Sequence, residues 1–291
     1  MSDALAVDKR MVRRSFERAA ATYDAAAVLQ NEVCRRMLAR LDYIKLEPAT
    51  ILDAGSGTGN AVAGLLARYS RARVIALDVA LAMARRARAR RSWWRGLIER
   101  SGPRLAAVCG DIEELPLAPA CAGMVWSNLA IQWSNEPQRA FAEMHRVLVP
   151  GGLLLFSSFG PDTLKELRAA FESVDRHTHV HRFTDMHDVG DMLVACGFAD
   201  PVMDMEVVTL TYADVRELMR DLKAIGAHNV TRGRPSALAG KSLLAKVARN
   251  YEPARREGRL PATFEVIYGH AWKPAPRVSP SGRPVIDIKP R

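Results

Sequence analysis

The sequence predicts an α/β protein with a mostly parallel sheet carrying helices on both faces. Three observations lead there. Short apolar runs rich in Val, Ile and Leu alternate with helix-period segments from residue 50 to 173, the pattern of strands buried on both faces and joined by crossover helices. The first of these strands runs into a loop of closely spaced glycines, "ILDAGSGTGNAVAGLL" at 51–66, and a helix follows. Finally, acidic residues stand at the ends of successive strands, where open α/β sheets bind ligands.

Taken in order, residues 9–42 read as helix, with apolar positions at Val12, Phe16, Ala19 and Ala20, then Val28, Val33, Met37, Leu38 and Leu41, and an interruption at "AATYDAAA". Strand 50–54 and helix 58–69 follow, then strand 73–77, helix 80–91 or longer, and strand 104–108. Beyond a turn region come strand 122–127, helix 136–146, strand 152–158 and helix 163–173, with "VPGG" (149–152) as a turn before the last strand. A helix near 185–196 stops at Gly197. "PVMDMEVVTLTY" (201–212) and "PATFEVIYGHAW" (261–272) complete a seven-stranded sheet. The residues between them are too many for a plain loop and read as a helical insert. The domain reading is an N-terminal helical cap (1–48), a core (49–212 and 261–272), an insert (213–260), and a tail (273–291) whose five prolines and lack of periodicity predict disorder.

At 291 residues, 48% hydrophobic and 25% charged, the chain has the composition of a globular protein with a substantial core. Cys34, Cys109, Cys121 and Cys196 lie far apart without a Cys-x-x-Cys pair, which argues against a disulfide framework or zinc knuckle. "MSDALAVDKRMVRRSF" has no apolar signal region, and no run approaches the roughly 20 apolar residues of a membrane span. A cytoplasmic protein is expected, with no membrane association. The net charge of +10 is concentrated partly in residues 84–100, which hold seven arginines and one glutamate. Such a run suits an acidic partner or simply a solvated helix face. Without a zinc finger, an RNP motif or a basic aromatic array, nucleic acid is not the expected partner.

The glycine loop carries the chemistry. A dinucleotide fingerprint is G-x-G-x-x-G, but here Gly55, Gly57 and Gly59 are followed by Asn60, so the third glycine falls one residue early. Asp53, at the strand end, would repel a pyrophosphate and favour a cationic amino-acid group. Both features disfavour NAD and point to a nucleoside without phosphate. Asp78 closes the next strand, where an acid typically accepts bonds from ribose hydroxyls. Asp111 and Ile112 follow the third, suited to an adenine amino group and ring face. Any one acid alone reads first as a helix N-cap or a solvated strand end; three at successive strand ends point to a ligand.

"LDAGSGTG", "ALD", "GDIEELPL" and "SNLAIQW" resemble, in order and spacing, the class I S-adenosylmethionine-dependent methyltransferases. The resemblance implies a Rossmann-like fold with an antiparallel last strand, and S-adenosyl-L-methionine as cofactor. Asp53, Gly55 and Gly57 would surround the methionine and ribose parts, with Ser56 and Gly59 of the same loop in the cofactor site. Asp78 would bind the ribose hydroxyls, Asp111 and Ile112 the adenine, and Asn128 would lie near the methionine end. "FERAAATYDAAAVLQ", "WSNLAIQWSNEPQRAFAEMHRVLVPGG", "HRF" and "LMRDLKAIGAHN" are similar to the malonyl-acyl-carrier-protein O-methyltransferases of biotin synthesis. That resemblance implies methylation of the free carboxylate of a malonyl thioester, carried by an acidic acyl carrier protein or by malonyl-CoA.

A carboxylate acceptor is already an anion at neutral pH and needs no base. By the resemblance Tyr23 would close over the cofactor, though alone it reads equally as a packing aromatic. Arg182, with Lys223 second, is the expected clamp for the malonyl carboxylate, because arginine matches a planar carboxylate; each reads equally as a surface cation. Trp133 would wall the pocket or sit in the core. His177, His179 and His181 alternate and would share one face of an extended segment, but no Cys or acid pattern completes a metal site, and none is expected. "FGPDTLKELRAAF" also resembles a complex I assembly factor of the same fold described as an arginine hydroxylase, and a non-catalytic cofactor-binding protein is the remaining alternative. The start of the chain lacks the Arg/Ser-rich transit segment expected of such a mitochondrial factor.

Overall fold

The computed structural model describes residues 6–90, 104–174, 177–227, 229–231 and 241–275. Most of the tail, and the basic run from Arg91 to Arg100, lie outside the described residues. The strands are β1 (Thr50–Ala54), β2 (Arg73–Asp78), β3 (Leu105–Cys109), β4 (Ala122–Asn128), β5 (Leu148–Phe159), β6 (Ala199–Tyr212) and β7 (Leu260–Trp272). They form one sheet in the order β3-β2-β1-β4-β5-β7-β6. The pairs among β1 to β5 are parallel, whereas β7 runs antiparallel to β5 and to β6. This is the predicted seven-stranded Rossmann-like architecture.

The helices are α1 (Lys9–Ala19), α2 (Tyr23–Ala26), α3 (Val28–Arg40), α4 (Val62–Arg68), α5 (Leu81–Ala89), α6 (Pro137–Val147), α7 (Lys165–Glu172), α8 (Met186–Ala195), α9 (Val215–Ala224) and α10 (Lys241–Tyr251). The predicted long N-terminal helix therefore breaks at Ala20–Thr22 and again at Ala27. Asp8 caps α1 by accepting from the Arg10 and Met11 amides at 3.0 and 3.2 Å, the usual role of an aspartate at a helix start.

Alternation along the central strands divides the core into two layers. Ile51, Met124, Trp126, Leu153 and Leu155 face α3, α4, α7 and α9, while Leu52, Val125, Leu154 and Phe156 face α6 and α8. Val215 and Leu218 of α9 and Val247 and Tyr251 of α10 join the first layer, so the insert packs on the sheet's own core. Two element starts differ from the sequence reading by four residues. α4 begins at Val62 because Gly55–Ala61 complete the loop. β5 begins at Leu148, which pairs with Ala122 while Leu153 pairs with Met124; the "VPGG" stretch is thus looped out inside the strand.

Candidate active site

The carboxyl ends of β1, β2, β4 and β5 open onto two cavities that share a wall. The first, of about 810 Å³, is lined by the loop glycines Gly55 and Gly57, by Asp78, Asp111 and Ile112, and by Asn128. A small polar recess holding Asp53, Ser56 and Asn60 adjoins it through Tyr23, Gln30, Gly55, Gly57 and Asn128. Its glycine loop is folded by backbone bonds: the Gly55 and Ser56 amides both donate to the Leu77 carbonyl at 2.8 Å. Asp78 accepts from the Gly57 amide at 2.9 Å and from the Ala80 amide at 2.8 Å, which ties the loop to the end of β2. Gly55 has φ +80°, and a Cβ there would lie 2.2 Å from the Ala130 Cβ, so no other residue fits.

Asp53 is the electrostatic centre of the recess. It is 2% exposed, and its Oδ2 has no hydrogen-bond partner. Burial, with the Asp78 charge second, pushes its carboxyl up to about 8. Burial also raises Asp78, to about 6, against the lowering effect of its two amide donors. Both groups are thus held in a state that a cation or donor would relieve. Ser56 Oγ and Gln30 Oε1 are likewise buried without partners. Three buried polar groups without partners around one recess mark a ligand site rather than a packed core. Tyr23 is half-buried over the loop, its ring 3.8 Å from where a Gly57 Cβ would stand, and burial, with Asp78 second, pushes its hydroxyl upward. It is a protonated phenol throughout the physiological range.

The second cavity, of about 1230 Å³, is mainly apolar, with Leu29, Leu167, Phe171 and Leu222 among its walls. Gln30, Gln132, Trp133, Phe159, Ile225 and Ala227 border both cavities. Trp133 is fixed there by edge contacts with Phe16 and His181, each at 5.3 Å between centroids. The junction therefore combines an aromatic wall with two amides, and Gln132 Oε1 has no partner.

Comparison with known proteins gives this geometry its context. A family described as a methyltransferase domain matches residues 52–156. The chain is 58% identical to a malonyl-[acyl-carrier protein] O-methyltransferase of Gallionella capsiferriformans, covering 96% of each chain. It is 56% identical to the protein of that name in a Methylovorus species, over 100% of this chain and 98% of the other. The chain belongs to the malonyl-[acyl-carrier protein] O-methyltransferase family. Among solved structures it shares its fold with a methyltransferase-like protein of Bacillus halodurans, at a TM-score of 0.54 and 20% identity, covering 82% of this chain and 99% of the other. A Haloferax volcanii methyltransferase in complex with its activator gives 0.55 at 18% identity, over 92% and 100%.

Within this family member the structure gathers Tyr23, Asp53, Gly55, Ser56, Gly57, Asp78, Asp111, Ile112 and Asn128 around one cavity system. Asn128 bridges α3 and β5, donating to the Gln30 carbonyl at 3.0 Å and accepting from Ser157 Oγ at 2.9 Å. Gly59 stands apart. Its missing Cβ makes room for Ala87 of α5, 3.0 Å away, so it serves helix packing and does not line the cavity. Arg182 and Lys223 are exposed and line neither cavity. His181 and Phe183 on either side of Arg182 line the second cavity, while Arg182 itself is exposed. Lys223 follows Leu222, a wall residue, and is exposed at the end of α9.

His179 and His181 face the second cavity and His177 is exposed. Among the described residues no group of three or more His, Cys, Asp or Glu could hold a metal, and no helix is long and apolar enough to cross a membrane. Three wall residues escaped the sequence reading. Gln30 and Gln132 end or nearly end the quoted stretches "FERAAATYDAAAVLQ" and "SNLAIQW", which is the only local signal for them. Lys9, which lies 2.9 Å from Asp111 and 3.0 Å from Glu113, has none.

Proposed function

We propose that this protein transfers the methyl group of S-adenosylmethionine to the free carboxylate of a malonyl thioester borne on acyl carrier protein, an early step of biotin synthesis. Malonyl-CoA, whose thioester end is the same, serves as a second substrate. The observation that carries the reading is Asp53, a buried carboxylate with an unpartnered oxygen in a recess beside the glycine loop, next to a larger apolar cavity. A cationic amino-acid group satisfies that oxygen, and the recess fits the methionine part of the cofactor. Asp53, Ser56, Gln30 and Asn128 hold that end, Asp78 the ribose, and Asp111 and Ile112 the adenine. When bound, S-adenosylmethionine supplies an electrophilic methyl group on a sulfonium.

The remaining work belongs to the chain's own residues. Methyl transfer is an in-line displacement, so catalysis is mainly positioning and exclusion of water. The acceptor carboxylate enters from the apolar cavity, and Gln30 and Gln132 at the junction offer it neutral amides. Trp133, Phe159 and Ile225 keep the junction dry, which strengthens every electrostatic contact there. No side chain has to remove a proton, and Tyr23, with its hydroxyl pushed upward, acts as a hydrogen-bond donor over the loop. Near-full-length likeness to the malonyl carrier-protein methyltransferases favours this acceptor over the arginine of the resembling assembly factor.

The test offers labelled S-adenosylmethionine with malonyl-acyl carrier protein, malonyl-CoA and a phenolic acceptor. Methyl ester on the malonyl thioesters is the expected product. Transfer to the phenol alone, or to none of the three, overturns the reading.

A further inference from the structure

Helix α1 has one face in the cofactor cavity and another with no use inside the fold. Lys9, Val12 and Phe16 line the cavity, while the 3.6-residue period sets Arg10, Arg14 and Arg18 on a stripe of the opposite face, with Arg13 beside it. All four arginines are exposed. Among the described residues none of them forms an ion pair. The helix's other charges are internally engaged: Lys9 with Asp111 and Glu113, and Glu17 accepting from the Leu81 and Ala82 amides at 2.6 and 3.1 Å.

Stability does not explain the stripe. Like charges four residues apart repel, and cations in the first turns of a helix oppose its dipole. A neutral or acidic face would be better for folding, so the charge is there for something outside. Ala19 and Ala20 pack against Ala80 and Met83 at the start of α5, whose Arg85 and Arg88 are also exposed and extend the positive surface. On the other flank, Gly226 beyond α9 packs so near α1 that a Cβ there would lie 3.2 Å from the Phe16 ring and 3.3 Å from the Ala19 Cβ. This puts α1 between α5 and the insert that walls the substrate cavity.

We propose that the outer face of α1, centred on Arg10, Arg14 and Arg18, docks the acidic body of the acyl carrier protein. The inference rests on the methyl-transfer reading given above. A carrier protein must stay outside while its thioester arm reaches the junction of the two cavities. A helix that is cavity wall inside and cationic outside serves both needs. Phe16, the aromatic of α1, turns inward onto Trp133, so the stripe offers no ring on which a nucleic-acid base could stack; that favours a protein partner.

The test compares the wild-type protein with a triple variant, Arg10→Glu, Arg14→Glu and Arg18→Glu, each saturated with S-adenosylmethionine. Electrostatic docking contributes about 10- to 1000-fold to encounter. The KM for malonyl-acyl carrier protein, and the Kd for the carrier read by fluorescence anisotropy without turnover, should therefore rise at least about tenfold. Kinetics on malonyl-pantetheine, which has no protein body, should stay within about twofold, which also shows that the variant is folded. Added salt should weaken carrier binding to the wild type and leave the variant nearly unchanged.

An unchanged Kd and KM for the carrier protein overturns the proposal, as does an equal loss on carrier protein and malonyl-pantetheine. Binding of a short RNA more tightly than the carrier, abolished in the same variant, assigns the face to nucleic acid and also overturns it. If the wild type binds the carrier through this face but methylates neither substrate, docking stands and the activity reading falls.

Discussion

The two adjoining cavities are built by opposite strategies. The cofactor cavity takes one decisive group from each of several successive strand ends: Asp53 from β1, Asp78 from β2, Asp111 after β3 and Asn128 from β4. On the proposed reading, charge and backbone geometry do the recognising, at positions the topology dictates. The second cavity, which the proposed reading gives to the substrate, is assembled from mostly apolar stretches scattered between Ala26 and Phe264, and on that reading it selects mainly by shape. Cofactor binding should therefore fail on single atoms, whereas substrate binding should respond gradually to volume.

The sharpest break in that comparison is Gly55→Val. Its Cβ would meet Ala130 at 2.2 Å in a backbone conformation that β-branched residues avoid. We expect cofactor binding by calorimetry to weaken by more than about 100-fold, with a lower Tm; binding within about tenfold of wild type would show that the loop is not the cradle. Next comes Asp53→Asn, for which a lost charge-assisted bond predicts about 10- to 100-fold weaker cofactor binding.

The same variant carries a pH signature whose sign is fixed. Asp53 in the free protein ionises near pH 8 through burial and the Asp78 charge. A cationic ligand favours its ionised form. Below pH 8 binding must therefore expel a proton, and affinity rises with pH, levelling above 8. Because the folded value exceeds the unfolded one, the stability this group contributes is complete below about pH 4 and is lost as pH rises through 8. The Tm of the cofactor-free protein should fall across that interval. Asp53→Asn should flatten both trends, leaving the smaller slope due to Asp78, raised to about 6. An unaltered pH dependence in the variant would move the titration to another group.

What the sequence revealed follows the same division. The middles of strands such as "TILDA" and "RVIALD" are apolar because both their faces are buried, and the acids at or near their ends sit where parallel sheets bind ligands. These were legible residue by residue. Gly59 is the harder case, since a glycine spared for a ligand and one that leaves room for Ala87 look alike in one dimension. Chemical need alone points to Arg182 and Lys223, but both are exposed while their neighbours His181, Phe183 and Leu222 line the second cavity, and sequence does not encode that choice. Gln30 and Gln132 reach the junction through tertiary contacts that no local pattern encodes.

Volume in the second cavity is tested by Leu222→Trp, which adds bulk to a half-buried wall. KM for malonyl-acyl carrier protein and malonyl-CoA should rise together by about tenfold, consistent with 1–3 kcal/mol for an overpacked site. Cofactor affinity should stay within about twofold of wild type, since Leu222 lines only the second cavity. Equal loss in cofactor binding would mean that the two cavities act as one.

The smallest expected effect concerns Tyr23, the residue whose chemistry most invites overstatement. It lies between the cofactor loop and the N-terminal helices, and a phenol there could serve a methyltransferase as a general base. Two facts oppose that role. Burial and the neighbouring carboxylate push its hydroxyl upward, so the phenolate is not available near neutral pH. A carboxylate acceptor with a pKa of about 4 also has no proton to remove. Tyr23→Phe keeps the ring over Gly57 and deletes the hydroxyl alone. It should lower kcat less than about tenfold, the scale of one neutral hydrogen bond, and leave the shape of the pH–rate profile unchanged. A loss of about 100-fold or more, the range of general acid–base catalysis, together with a vanished pH limb, would make Tyr23 a catalytic base. It would also mean that the acceptor arrives protonated, which a malonyl carboxylate does not.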